Sequence, residues 1–132
     1  MALSKILVIE DETSNSRLVE VTLRQVGQTI VRANGLAGLD YARGGDVALV
    51  ILDIALPGMG GWEVLAALRD DPSTMYIPVI VLTAHAGDEP MMRAYAAGAD
   101  GFMEKPFYPE ELRRAVRELL NPRTGVEAPG IS

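Results

Sequence analysis

The sequence predicts an α/β fold: a doubly wound, five-stranded parallel sheet in the order 2-1-3-4-5. Three observations predict it. Val47–Leu52 is an unbroken apolar run, rich in branched side chains, as a strand covered on both faces requires. The runs Lys5–Ile9 and Val79–Leu82 have nearly the same character. Between the runs, apolar residues recur at helical spacing and the segments close on glycine or proline, so five strands alternate with five helices. Such alternation implies parallel strands joined by right-handed crossovers. The three strongest runs take the central places, which sets the topological switch point between the first and third strands.

Taken in order, the first strand (Lys5–Ile9) runs directly into Glu10, Asp11 and Glu12. Thr13 or Ser14 is the candidate cap of a helix that carries Leu18, Val19, Leu23 and Val26 and ends near Gly27. Gln28–Ala33 mixes Gln28, Thr29 and Arg32 with Ile30 and Val31, which suits an edge strand. Gly35–Arg43 makes a short helix with Leu36, Leu39 and Tyr41, closed by Gly44 and Gly45. The third strand stops at Asp53, and Pro57, Gly58, Gly60 and Gly61 turn the chain into a helix from Trp62 to Arg69, with Val64, Leu65 and Leu68 on one face. A polar loop, Asp70–Thr74, leads past Pro78 into the fourth strand, which ends at Thr83. After the small-residue loop Ala84–Gly87, a helix from Glu89 to Ala97 is stopped by Gly98. Gly101–Glu104 is a short fifth strand ended by Lys105-Pro106. Pro109 opens a last helix bearing Leu112, Ala115, Val116, Leu119 and Leu120. Residues 1–121 are expected to form the domain, and 122–132 a disordered tail or linker with few large apolar residues.

Bulk properties narrow the function. A chain of 132 residues suits one domain with a real core. The net charge of −6 argues against direct binding to nucleic acid or an anionic membrane. The absence of cysteine excludes disulfides, thiolate metal sites and cysteine catalysis. No stretch is long and apolar enough to span a bilayer, and the N-terminal MALSKILVIEDE does not read as a signal peptide, so a cytoplasmic protein is expected.

In the expected topology the C-terminal ends of four strands meet at one edge, carrying Glu10 and Asp11, Asp53, Thr83, and Lys105. Each has a plain structural reading, as a helix cap, a β-branched strand residue or a surface cation; their convergence favours a site. Carboxylates crowded together repel, and a counter-ion relieves them. The donors are all oxygen, which favours Mg²⁺ over zinc or copper. Mg²⁺ held by few carboxylates leaves positions for phosphate oxygens, and Lys105 adds a second positive charge. Asp53 would then be a nucleophile that forms an acyl phosphate.

KILVIEDE at Lys5–Glu12, LDIALPGMGG at Leu52–Gly61, IPVIVLTA at Ile77–Ala84 and GADGFMEKPF at Gly98–Phe107 resemble, in order and spacing, the receiver domain of two-component response regulators. The resemblance implies a flavodoxin-like fold in which Asp53 accepts a phosphoryl group from a histidine kinase or a phosphotransfer histidine. It implies that Asp11, Asp53, the Ala55 carbonyl and, through a water, Glu10 hold Mg²⁺. Lys105 then pairs with the phosphoryl group, its bond to Pro106 is usually cis, Thr83 is a switch hydroxyl, and Phe102 takes the place of a switch aromatic. Phe102 lacks the hydroxyl of a tyrosine, and Gly60 stands where many relatives carry an acid or amide. Ala55 and His85 occupy positions that tune acyl-phosphate lifetime in the family, so His85 is expected to affect that lifetime.

The resemblance also implies that the loop after Thr83, the fourth helix and the fifth strand respond to phosphorylation; the methionines and Tyr95 of the fourth helix further suggest a docking face of the fourth helix, fifth strand and last helix, with Met91 or Met92, Tyr95 and Phe107 or Tyr108 contributing, for a downstream protein or a second copy. A stand-alone receiver is the expected form, with a fragment of a larger protein as the alternative. Two other classes compete. A nucleotide enzyme is disfavoured because no glycine-rich phosphate loop is present, and an aspartyl phosphatase because Ala55 replaces the second acid such an enzyme wants. A receiver-like adaptor that never takes phosphate is disfavoured because the acids and the lysine are all retained.

Overall fold

A computed structural model describes residues 3–84 and 87–121. The expectations for His85 and for the tail 122–132 lie outside the described residues. The elements are β1 (Lys5–Ile9), α1 (Thr13–Leu23), β2 (Gln28–Arg32), α2 (Gly35–Gly44), β3 (Val47–Asp53), α3 (Gly61–Asp70), β4 (Val79–Thr83), α4 (Asp88–Ala96), β5 (Gly101–Glu104) and α5 (Pro109–Leu120). All strands are parallel, in the order β2-β1-β3-β4-β5, as the sequence predicts.

Strand alternation splits the core into two layers. Leu7, Ile9, Val50, Leu52, Val79 and Val81 face one way, against Leu39 of α2, Val64, Leu65 and Leu68 of α3, and Ala94 of α4. Ile6, Val8, Leu49, Ile51, Ile80 and Leu82 face the other, against Val19 and Leu23 of α1 and Leu112 and Val116 of α5. Covering both faces explains why β1, β3 and β4 read as unbroken apolar runs. Each large side chain buried this way contributes about 1.5–3 kcal/mol.

Several local expectations are corrected. Glu12, not Thr13 or Ser14, occupies the N-cap of α1, and its own side chain accepts from Asn15 Nδ2 at 2.6 Å. The helix ends at Leu23, short of Val26. Leu18 and Leu36 lie on solvent faces, 46% and 67% exposed, because the buried stripe of α1 is completed by Ser16 and Thr22, and that of α2 by Gly35, Gly38 and Ala42. Gly98 follows α4 with φ +104°, a conformation that favours glycine. Among the described residues no helix is long and apolar enough to cross a membrane.

Candidate functional site

Because the strands are parallel, their C-terminal ends share one edge, and there the chain leaves its apolar runs. Glu10 directly follows β1, and Asp53 is the last residue of β3. Both are almost fully buried, 3% and 5% exposed, whereas Asp11 is open to solvent. Carboxylate oxygens of Glu10, Asp11 and Asp53 lie within 4.8 Å of one another. The Lys105 ammonium reaches in from the end of β5, 3.3 Å from Glu10 Oε1 and 3.5 Å from Asp53 Oδ2. The Lys105 N–H donates to the Thr83 carbonyl at 2.7 Å, and the Lys105-Pro106 peptide is cis.

Neighbouring amides brace the acids. The Glu12 N–H donates to Glu10 Oε2 at 3.2 Å, and the Ala55 N–H to Asp53 Oδ1 at 3.0 Å. Burial, followed by close approach to Asp53, pushes the Glu10 carboxyl up to about 7, against the pull of the Glu12 amide and Lys105. Three carboxyl groups thus gather round one ammonium. An all-oxygen donor set of that kind fits a hard divalent cation such as Mg²⁺.

The structure thus brings Glu10, Asp11, Asp53 and Lys105 together. Ala55 sits on the exposed loop beside Asp53, and Thr83 is buried at the end of β4. Phe102 is partly buried in β5 against the layer that holds Leu7 and Val81. A cleft of about 360 Å³ opens beside the acids, lined in part by Asn15, Leu18, Leu82 and Phe107. Of the expected docking residues, Met91, Met92, Tyr95 and Tyr108 are exposed, but Phe107 packs partly into the Ile6 layer. Sequence reasoning placed Glu12 in the acidic run but missed it as the N-cap of α1 whose amide holds Glu10. It also missed Arg69 and the Arg93–Trp62 pair, for which no motif exists.

Acids and a lysine gathered at the switch-point edge of a 2-1-3-4-5 parallel sheet are the features of a receiver. The sequence profile of the response regulator receiver domain matches residues 6–117. The chain belongs to that family: it is a receiver domain of two-component response regulators. It is 39% identical over 116 residues to the uncharacterized transcriptional regulatory protein YkoG of Bacillus subtilis, covering 87% of this chain and 50% of that protein. It is 41% identical over 117 residues to the transcriptional regulatory protein HprR of Escherichia coli, covering 88% of this chain and 51% of that one. The chain therefore spans about half the length of these relatives. Among solved structures, the chemotaxis protein CheY4 of Vibrio cholerae superposes with a TM-score of 0.82 at 29% identity, over 89% of this chain and 99% of that one. The receiver domain of the sensor histidine kinase PA1611 of Pseudomonas aeruginosa, with a magnesium ion coordinated in its active-site cleft, gives 0.83 at 26% identity, over 91% and 99%.

Proposed function

We propose that this receiver accepts a phosphoryl group on Asp53 in a Mg²⁺-dependent reaction and signals through the surface of α4, β5 and α5. The observation that carries the reading is the approach of three carboxylates within 4.8 Å, with Lys105 Nζ 3.5 Å from the acceptor. The donor is a phosphohistidine on a histidine kinase or a phosphotransfer protein. An Asp53 carboxylate oxygen attacks phosphorus, an O–P bond forms as the donor's N–P bond breaks, and the departing imidazole takes up a proton. Asp53 is held for this by the Ala55 amide, and burial keeps bulk water from it. Lys105 supplies a positive charge to the phosphoryl oxygens.

Asp11, Asp53, the Ala55 carbonyl and Glu10, through a water, are the residues that would hold Mg²⁺. When bound, the ion offsets the charge of the carboxylates and the incoming phosphoryl group. Thr83 and Phe102 are the switch residues, and phosphorylation biases α4 and β5 through them. A groove of about 450 Å³, lined in part by Met91, Phe102, Met103 and Tyr108, lies on the output face and suits a downstream protein or a second copy. No direct contact with nucleic acid or membrane belongs to this reading.

Intact-mass spectrometry after incubation with acetyl phosphate tests it. One phosphoryl adduct is expected on the wild type with Mg²⁺, and none without Mg²⁺ or in Asp53→Asn. A folded wild type that gains no adduct with Mg²⁺ under rapid quenching would leave a phosphate-independent binding domain.

A further inference from the structure

Helices α3 and α4 are attached to the sheet very differently. The first residue of α3, Gly61, lies so close to the end of β3 that a Cβ there would meet Ile54 Cα at 2.5 Å and the Asp53 carbonyl oxygen at 2.7 Å. Its N–H donates to the Ile54 carbonyl at 3.1 Å, and Val64, Leu65 and Leu68 are fully buried. Thus α3 is rigidly coupled to the strand that carries the acceptor. In α4 only Ala94 is buried, while Met91, Met92 and Tyr95 are exposed. A helix with so little apolar burial belongs to the low-stability end of a fold.

The ends of α4 also differ. Beyond its C-terminal end, the Gly98 carbonyl accepts from Arg69 Nε at 2.9 Å. Its N-terminal end is preceded by Gly87, at φ +123°, whose N–H reaches Glu104 Oε2 at 3.2 Å. Between the two, the Arg93 guanidinium carbon lies 4.1 Å from the centroid of the Trp62 ring. Trp62 is the residue after Gly61. Among the described residues Arg93 forms no ion pair, so the ring face is the partner of its charge.

We propose that Arg93 is a positioning residue: stacked on Trp62 it clamps α4 to α3 in the unphosphorylated protein, and its release lets α4 shift against α3. This rests on the acceptor reading above. The contact forms only when α4 is seated, so it is a differential interaction that biases two positions of one helix. By linkage, whatever favours the displaced helix also tightens binding of a phosphoryl group at Asp53.

The test uses the whole chain and two equilibrium readouts: hydrogen exchange of the α4 amides, and affinity for beryllofluoride with Mg²⁺ as the phosphoryl probe. In Arg93→Ala, α4 exchange is expected to rise about three- to tenfold and beryllofluoride to bind tighter by a similar factor, with α1 exchange unchanged. Arg93→Met, which keeps the aliphatic bulk, should behave like the alanine variant, and Arg93→Lys like the wild type. Unchanged α4 exchange in Arg93→Ala, or wild-type behaviour in Arg93→Met, would overturn the clamp. Looser α4 with unchanged beryllofluoride affinity would overturn its link to the acceptor. Failure of the acceptor reading is distinguishable, because the wild type itself would then bind no probe while α4 exchange still reports on Arg93.

Discussion

At the N-terminal edge of the sheet one guanidinium meets its acceptors in full; at the C-terminal edge Glu10 and Asp53 share one ammonium. Arg69 donates to the carbonyls of Gly98, Met75 and Ile77 at 2.8–3.1 Å and to Asp100 Oδ2 at 2.9 Å. Asp100 Oδ2 in turn accepts from the Val79 N–H at 2.9 Å. The site edge buries Glu10 and Asp53 beside exposed Asp11, with Lys105 as their shared cation. The first arrangement gains by being complete. The second is kept short of positive charge, so an arriving cation changes its energy most. A protein that answers to a small charged group concentrates instability where that group binds and offsets it elsewhere.

The largest expected effect lies at the satisfied edge. Arg69→Ala takes the guanidinium from three backbone carbonyls and leaves Asp100 with the Val79 N–H alone, and should lower the unfolding free energy by about 3 kcal/mol. Urea denaturation measures it, and phosphoryl uptake per folded molecule should persist. A loss below about 1 kcal/mol would mean that water replaces the guanidinium, and the contrast between edges would weaken.

At the site edge the sign reverses. Glu10→Gln removes a buried charge that is disfavoured near neutral pH, so without Mg²⁺ the variant should be more stable than wild type by about 2 kcal/mol at pH 8. It should also gain less stability from added Mg²⁺, read from thermal midpoints with and without the ion. A destabilised variant would show that the Lys105 pairing outweighs burial.

The same shift sets a pH dependence. The folded Glu10 carboxyl, at about 7, stands above its ordinary 4.5. Its stabilising contribution is therefore fully present below about 4.5 and is lost as pH rises through about 7. Between pH 6 and 8 the metal-free wild type should lose about 1 kcal/mol relative to Glu10→Gln. Equal slopes in the two proteins would place the perturbed titration on another group.

The two edges were unequally legible in the sequence. Asp53, Glu10 and Thr83 end apolar runs, and a polar residue at the end of a buried parallel strand stands out in one dimension. Fold order followed as directly, because run strength separated β1, β3 and β4 from the edge strands. Arg69 carried no such mark. It is one cation in an amphipathic helix, and most of its acceptors are backbone carbonyls, which any residue offers. Arg93 and Trp62 lie 31 positions apart, and only the packing of α4 on α3 joins them. The exposure of Leu18 and Leu36 was hidden for the opposite reason: periodicity ranks apolar residues, and small or hydroxyl residues filled the buried stripes.

The smallest expected effect separates position from charge. Asn34 caps α2 just beyond the C-terminal end of β2, on the site's side of the sheet, where its Oδ1 accepts from the Ala37 N–H at 2.9 Å. It takes no part in the acid cluster. Asn34→Ala should cost about 0.5–1 kcal/mol, the usual range for a partly exposed cap, and should leave the dependence of stability on Mg²⁺ and on pH unchanged. That result would assign the responsiveness of the site edge to Glu10, Asp11, Asp53 and Lys105 rather than to the edge as a whole. A changed Mg²⁺ response in Asn34→Ala would instead mean that the β2–α2 turn helps seat β1, through the Glu10 N–H that donates to the Arg32 carbonyl at 3.0 Å.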